Sequence, residues 1–342
     1  MVDRSFDTHG WRRDQGDLGR GLHFYQDPAD HLGYRAELES NGGMNKLLNT
    51  EAITSEDLHR QTTTPGEHRA LGVIGSLRGH WPEYLMEAGE LTFYMFFTCI
   101  FATVLQDPVS PVRQLIASPI LRRALMGLAV GATVIAIVLT PWGKQSGGHF
   151  NPAMTFAFYR LGKVEFWDVL FYSAAQFPGA ILGVCIAKYL IRGATRYEAV
   201  RYAVTAPGVY GFTAAFLGEL TISCVLMATV LFVSNHSVLA RYTPYFVGAL
   251  YAAFITFETP LSGMSMNPAR TFGSAFHAGY WNGLWIYFVA PTLGMLIAGE
   301  VFLRIRGGVP PLCAKLHHAN NKRCIFCHGD GTTRLPGLSG RG

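Results

Sequence analysis

Two Asn-Pro-Ala triplets are the first residues in this chain whose type and spacing could do chemistry. They are Asn151-Pro152-Ala153 and Asn267-Pro268-Ala269, and each runs on to Thr-Phe, at 155–156 and 271–272. Proline is well tolerated in the first turn of a helix, where its missing N–H would have no partner, and Asn just before it is a favoured N-cap. Each triplet therefore reads as a short helix that begins abruptly. The chemistry of such a start is electrostatic, because aligned peptide dipoles place about half a positive charge there. No Ser-His-Asp set, Walker loop or dinucleotide fingerprint stands in a supporting context, so no enzyme activity is expected.

A second constellation lies near the end of the chain. Cys324-Ile325-Phe326-Cys327-His328 matches the haem-attachment pattern, and Cys313, His317 and His318 are close by. Only 14 residues follow His328, too few to enclose a porphyrin. A membrane electron-transfer protein is the rival from another class, and a Soret band would rescue it. Zinc is the better functional reading, held by Cys324, Cys327, His328 and His318, since Cys and His at short spacing suit tetrahedral Zn²⁺. The simpler expectation is a solvated tail with reduced thiols and no cofactor.

The elements that must position these groups follow from composition. Of the 342 residues 49% are hydrophobic and 15% charged, against about 25% charged in soluble domains. The first 80 residues hold 12 of the 23 acids, whereas 81–303 is mostly long apolar runs. A spanning helix needs about 20 apolar residues. Six stretches are expected to span, at about 84–105, 121–141, 167–190, 210–233, 243–259 and 283–303, the fifth being short and starting at Pro244. Trp81, Trp142, Trp167, Trp281 and Trp285 fall at or near their ends, as interfacial rings do. The runs are too long and uniform for barrel strands. Residues 1–80 read as a polar tail, with disorder expected over 51–79, and 307–342 as a second tail. Cys99, Cys185 and Cys224 lie inside apolar runs, which argues against a disulfide scaffold, and the net charge of +5 forms no basic stripe for nucleic acid.

The apolar region is duplicated, with halves at about 82–191 and 210–304. Gly89-Glu90-Leu91-Thr92 opens the first span and Gly218-Glu219-Leu220-Thr221 the fourth; each half then has a span, an Asn-Pro-Ala triplet and another span. Three spans per half invert the second copy, a common plan in transport proteins. The two abrupt helix starts should enter from opposite faces and meet near the midplane, where irregular backbone is tolerated only if buried or lining a water path.

On Gly-Gly-His-Phe-Asn-Pro-Ala at 147–153, Asn-Pro-Ala-Arg at 267–270, Glu90, Glu219, Gln176 and Pro291, the chain resembles the aquaporin, or major intrinsic protein, family over about residues 82–304. The resemblance implies six transmembrane helices plus two re-entrant half-helices, an hourglass pore in each subunit of a homotetramer, and cytoplasmic termini in a plasma or inner membrane. In such a pore the Asn151 and Asn267 amides would hold one passing water by its oxygen and so break the chain of hydrogen bonds that carries protons. Carbonyls of 147–150 and 263–266 would line the path. Arg270 would stand at the outer constriction with Met264, Ile255 and either Val130 or Gly131. Glu90 and Glu219 would accept loop N–H donors, with Gln176 beside them, and His149 would be a packing residue or a pore contact. Water is the expected solute, with hydrogen peroxide or ammonia as companions; glycerol is the alternative, since the filter is aliphatic although Thr271 follows the Arg where glycerol channels carry Asp.

Overall fold

A computed structural model of the chain describes residues 72–191, 195 and 198–327. The described residues form helices and connecting loops: α1 Val73–Gln106, α2 Pro111–Leu115, α3 Pro119–Leu139, α4 Pro141–Ser146, α5 Pro152–Arg160, α6 Phe166–Leu190, α7 Gly211–Ser234, α8 Thr243–Phe257, α9 Thr259–Ser262, α10 Pro268–Ala278 and α11 Ile286–Ile305. Five of them, α1, α3, α6, α7 and α11, are long and apolar enough to cross a bilayer. Their outward faces carry exposed Leu85, Phe93, Leu128, Leu182, Leu217 and Leu293, which suits a lipid surround.

The expected fifth span is shorter than the sequence suggested. Helix α8 has 15 residues, about 22 Å at 1.5 Å per residue, and ends at Phe257. The chain then turns at Glu258 into α9, whose Thr259-Pro260 start explains the break: proline cannot donate the N–H that would continue α8. Helix α1 departs in the other direction. It begins at Val73, inside the stretch expected to be disordered, and residues 51–71 lie outside the described residues. The added turns are anchored. His80 Nδ1 lies 2.8 Å from the buried Asp168 of α6, and Tyr84 donates to the same carboxylate at 2.6 Å.

Within the bundle α1 packs along α6, α7 along α11, and α3 along α8 across the two halves. Small residues permit the close approach that apolar helices need in lipid. A Cβ on Gly179 would lie 2.4 Å from the Ala88 carbonyl, and one on Gly131 would lie 2.4 Å from the Gly248 carbonyl. Gly131 therefore belongs to the α3–α8 interface.

The segment after α11 was expected to be solvated, and it is not. Residues 309–327 have no helix or strand, yet Cys313, Ala314, Lys315, Leu316, Cys324, Ile325 and Phe326 are buried. Arg323 donates to the Gly79 carbonyl of α1 at 2.6 Å, so the start of α1 and the end of the described chain lie on one side of the bundle.

Candidate functional site

Both triplets fold as expected. Asn151 caps α5, its side-chain oxygen accepting from Ala153 N–H at 3.0 Å. Asn267 caps α10, accepting from Ala269 at 3.0 Å and Arg270 at 3.1 Å. Pro follows each cap in the first turn. The two helix starts meet. Asn151 Nδ2 donates to the Met266 carbonyl at 2.7 Å, and Asn267 Nδ2 donates to the Phe150 carbonyl at 2.7 Å. This reciprocal pair joins the motifs across 116 positions of sequence. It also modifies one expectation: the Phe150 and Met266 carbonyls accept from the opposite Asn, and the Gly147 carbonyl accepts from Leu316 N–H at 3.0 Å.

The approach to each cap is a strained turn, and the two turns match residue for residue. Gly147 and Gly263 have φ of 112° and 83°, while Phe150 and Met266 have φ of 29° and 58°. Gly148 (69°) corresponds to Met264 (55°). Left-handed backbone at Phe150, Met264 and Met266 costs on the order of 1–3 kcal/mol each, and surrounding bonds must hold it. In the second half Glu219 does so. It accepts from the N–H groups of Ser265 and Met266 and from the Ser262 hydroxyl, all at 2.7 Å.

In the first half Glu90, expected in this role, is bonded differently. It accepts only from the Ser146 hydroxyl, at 2.7 Å, and its other oxygen has no partner. The N–H groups of His149 and Phe150 go to Glu87 instead, and Gln176 Nε2 donates to the same carboxylate at 2.7 Å. Sequence reading missed Glu87. The signal was the spacing of Glu83, Glu87 and Glu90 at i, i+4 and i+7, one helix face in an apolar run. Two tyrosines complete the symmetry: Tyr172 donates to the Ser146 carbonyl and Tyr287 to the Ser262 carbonyl.

His149 is a packing residue. Its ring lies between Phe158 and Phe326, its Nδ1 faces the Thr155 hydroxyl at 3.1 Å, and its Nε2 donates to the Ala314 carbonyl at 2.8 Å.

Arg270 lines a cavity of about 310 Å³ together with Val130, Ile255 and Met264. Of the two residues expected from α3, Val130 faces this space and Gly131 faces α8. Tyr94 and Thr98 of α1 also line it, and no local motif marks either residue. The Arg270 guanidinium donates to the Ala203 carbonyl at 2.7 Å, and its buried Nε has no protein partner. Thr271 is turned away. Its hydroxyl bonds those of Ser265 and Thr205, so it ties the second turn to the preceding loop.

The Cys and His residues of the tail also converge. One ligand atom each from Cys313, His318, Cys324 and Cys327 lies within 4.8 Å of the others. Cys313 thus joins the expected set, and His328 lies outside the described residues.

The comparisons agree with this geometry. A family model described as Major intrinsic protein matches residues 78–302, well over half of the chain. Aquaporin TIP4-4 of Zea mays is 31% identical over 193 residues, covering 55% of this chain and 75% of that protein. Aquaporin NIP2-3 of Zea mays is 29% identical over 279 residues, covering 78% and 88%. The X-ray structure of the aquaglyceroporin from Plasmodium falciparum superposes with a TM-score of 0.56 at 19% identity, over 66% of this chain and 97% of that one, a likeness of fold. With inverted halves, paired capped half-helices and a family match over 78–302, the chain is an integral membrane protein of the major intrinsic protein family, whose members are channels and not enzymes.

Proposed function

We propose that the chain is a passive pore for water that excludes protons and ions, with hydrogen peroxide or ammonia as companion solutes. One observation carries the reading: the reciprocal bonds of Asn151 and Asn267 bring both helix N-termini to one point. Each amide nitrogen spends one hydrogen on the opposite carbonyl and keeps its second for a passing oxygen. With two half-helix dipoles behind it, such a point holds water by its oxygen with both hydrogens directed outward. A proton cannot hop through that inversion, and a cation meets positive potential from both sides. Arg270 adds a fixed charge at the constriction with Val130, Ile255 and Met264. Glu87 and Glu219 hold the two turns, and Gln176 orients Glu87.

An aliphatic constriction favours a second reading, a glycerol or small-polyol facilitator, because Val130, Ile255 and Met264 offer a carbon backbone an apolar wall. Assembly as a homotetramer belongs to the same reading and rests on the family resemblance. The contact of Arg323 with Gly79 puts the start of α1 and the segment after α11 on one face, which fits termini on one side of a plasma or inner membrane, read here as the cytoplasmic side.

Stopped-flow light scattering on proteoliposomes separates the two solutes. Water efflux well above that of empty liposomes, with a low activation energy and little glycerol uptake, is the expected result. Comparable glycerol uptake would replace the first reading with the second.

A further inference from the structure

Beyond the pore, the segment 312–327 presents a site the conduction path does not use. We propose that Cys313, His318, Cys324 and Cys327 bind one Zn²⁺ ion, and that this ion clamps the segment onto the loop carrying the first Asn-Pro-Ala triplet. The metal site stands independently of which solute the pore passes.

The geometry fits a tetrahedral ion. Zn–S bonds of about 2.3 Å put the sulfurs of one site about 3.8 Å apart. Cys313 and Cys324 are 3.5 Å apart, and all four ligand atoms lie within 4.8 Å. The surroundings are those of a thiolate site. Lys315 N–H points at the Cys313 sulfur at 3.4 Å, the kind of backbone donor that steadies a ligating thiolate. His318 Nδ1 is buried with no hydrogen-bond partner. Three thiolates with one Zn²⁺ carry a net charge of −1, and the nearly fully buried Lys315 ammonium stands beside them, pinned by the carbonyls of Lys322 and Arg323. No carboxylate among the described residues pairs with that ammonium. Zinc-bound thiolates would add to the counter-charge that the buried Glu83 supplies from farther off.

The clamp follows from what the segment touches. It has no regular secondary structure to fix it, and short irregular stretches hold one shape when a metal or disulfide staples them. Between the cysteines, Leu316 N–H bonds the Gly147 carbonyl and the Ala314 carbonyl receives His149 Nε2. Phe326, between Cys324 and Cys327, stacks on His149 at 5.5 Å between centroids. The four ligands therefore bracket the residues that cover the first turn.

The test uses the full chain, purified in detergent under reducing conditions. Zinc at one equivalent per chain is expected. Cobalt(II) in its place should show ligand-field and thiolate charge-transfer bands that zinc abolishes. Cys313→Ser and Cys324→Ser should lose the bands, and Cys185→Ser, on the exterior of α6, should keep them. Hydrogen exchange of peptides covering Leu316 should be at least about tenfold faster in wild-type protein after chelation. Absence of stoichiometric metal, a Cys313–Cys324 disulfide in its place, or metal binding with unchanged Leu316 protection would each overturn the proposal. The chelation arm needs no variant, so a misfolded mutant cannot decide the outcome.

Discussion

Glu87→Ala is expected to cost this protein far more than Glu90→Ala. The Glu87 carboxylate receives the N–H groups of His149 and Phe150 and the Gln176 amide. Removing it strands three buried donors, each worth about 1–3 kcal/mol when left unmade, and releases a turn that must hold Phe150 at positive φ. The melting temperature of the purified protein should fall by on the order of 10 °C, or folded protein should not be recovered. Glu90 makes one bond, to Ser146, and already carries an unpartnered oxygen, so its loss should shift the same midpoint by only about 2–4 °C. Static light scattering beside a thermal melt checks both. A larger loss with Glu90→Ala would mean that Glu90, not Glu87, is the partner of the first turn.

Arg270→Val should open the constriction to solutes the wild type rejects. A unit charge at about 4 Å repels a cation by about 4 kcal/mol at an effective dielectric constant near 20, or roughly a thousandfold in passage. Arg270 lines the cavity and holds one carbonyl, that of Ala203, so the substitution removes charge and bulk at modest cost to the fold. Glycerol uptake should rise by about tenfold or more and a cation leak should appear, read by stopped-flow and by a potential-sensitive dye. Unchanged glycerol and cation flux in correctly folded protein would place the selective step elsewhere.

The contrast between these two residues shows what the sequence made legible. The half-helices could be read because cap and proline are adjacent, a local signal, and Arg270 came with its triplet. Glu90 was misread because Gly-Glu-Leu-Thr recurs at 89–92 and 218–221 and suggests a register that the packing does not use. The true register is set between helices. Gly179 and Gly294 each lie seven residues after Tyr172 and Tyr287, and they rest on the carbonyls of Ala88 and Leu220. Ala88 is therefore the counterpart of Leu220, and Glu87 that of Glu219, three residues from the repeat in sequence. Three residues are nearly one helical turn, so both registers leave an acid on the same face. Only the approach of α6 to α1 decides between them.

The same distinction explains the cavity and the tail. Val130 and Gly131 are neighbours in sequence, and the contact of Gly131 with the Gly248 carbonyl decides which of them faces Arg270. Tyr94 and Thr98 come from α1, far from either triplet, and carry no motif. In the tail, His328 attracted attention because it follows Cys327. Cys313 reaches the cluster through a fold that depends on His149 and Gly147, more than 150 positions earlier. Local signals announced the caps, and long-range packing assigned their supports.

Whether the two capped helix starts hold one passing oxygen between them is decided by comparing Asn267→Asp with wild type in the same proteoliposomes. Osmotic water efflux is followed by light scattering, and proton entry by an internal pH dye. Aspartate keeps the cap oxygen but replaces the amide that donates to the Phe150 carbonyl with a negative charge. Wild type should show fast water flux and no proton entry. The variant should show water flux lower by about tenfold, equivalent to about 1.4 kcal/mol, and measurable proton entry. Water and proton flux indistinguishable between the two, in protein shown to be folded, would mean that the paired caps do not hold the passing oxygen.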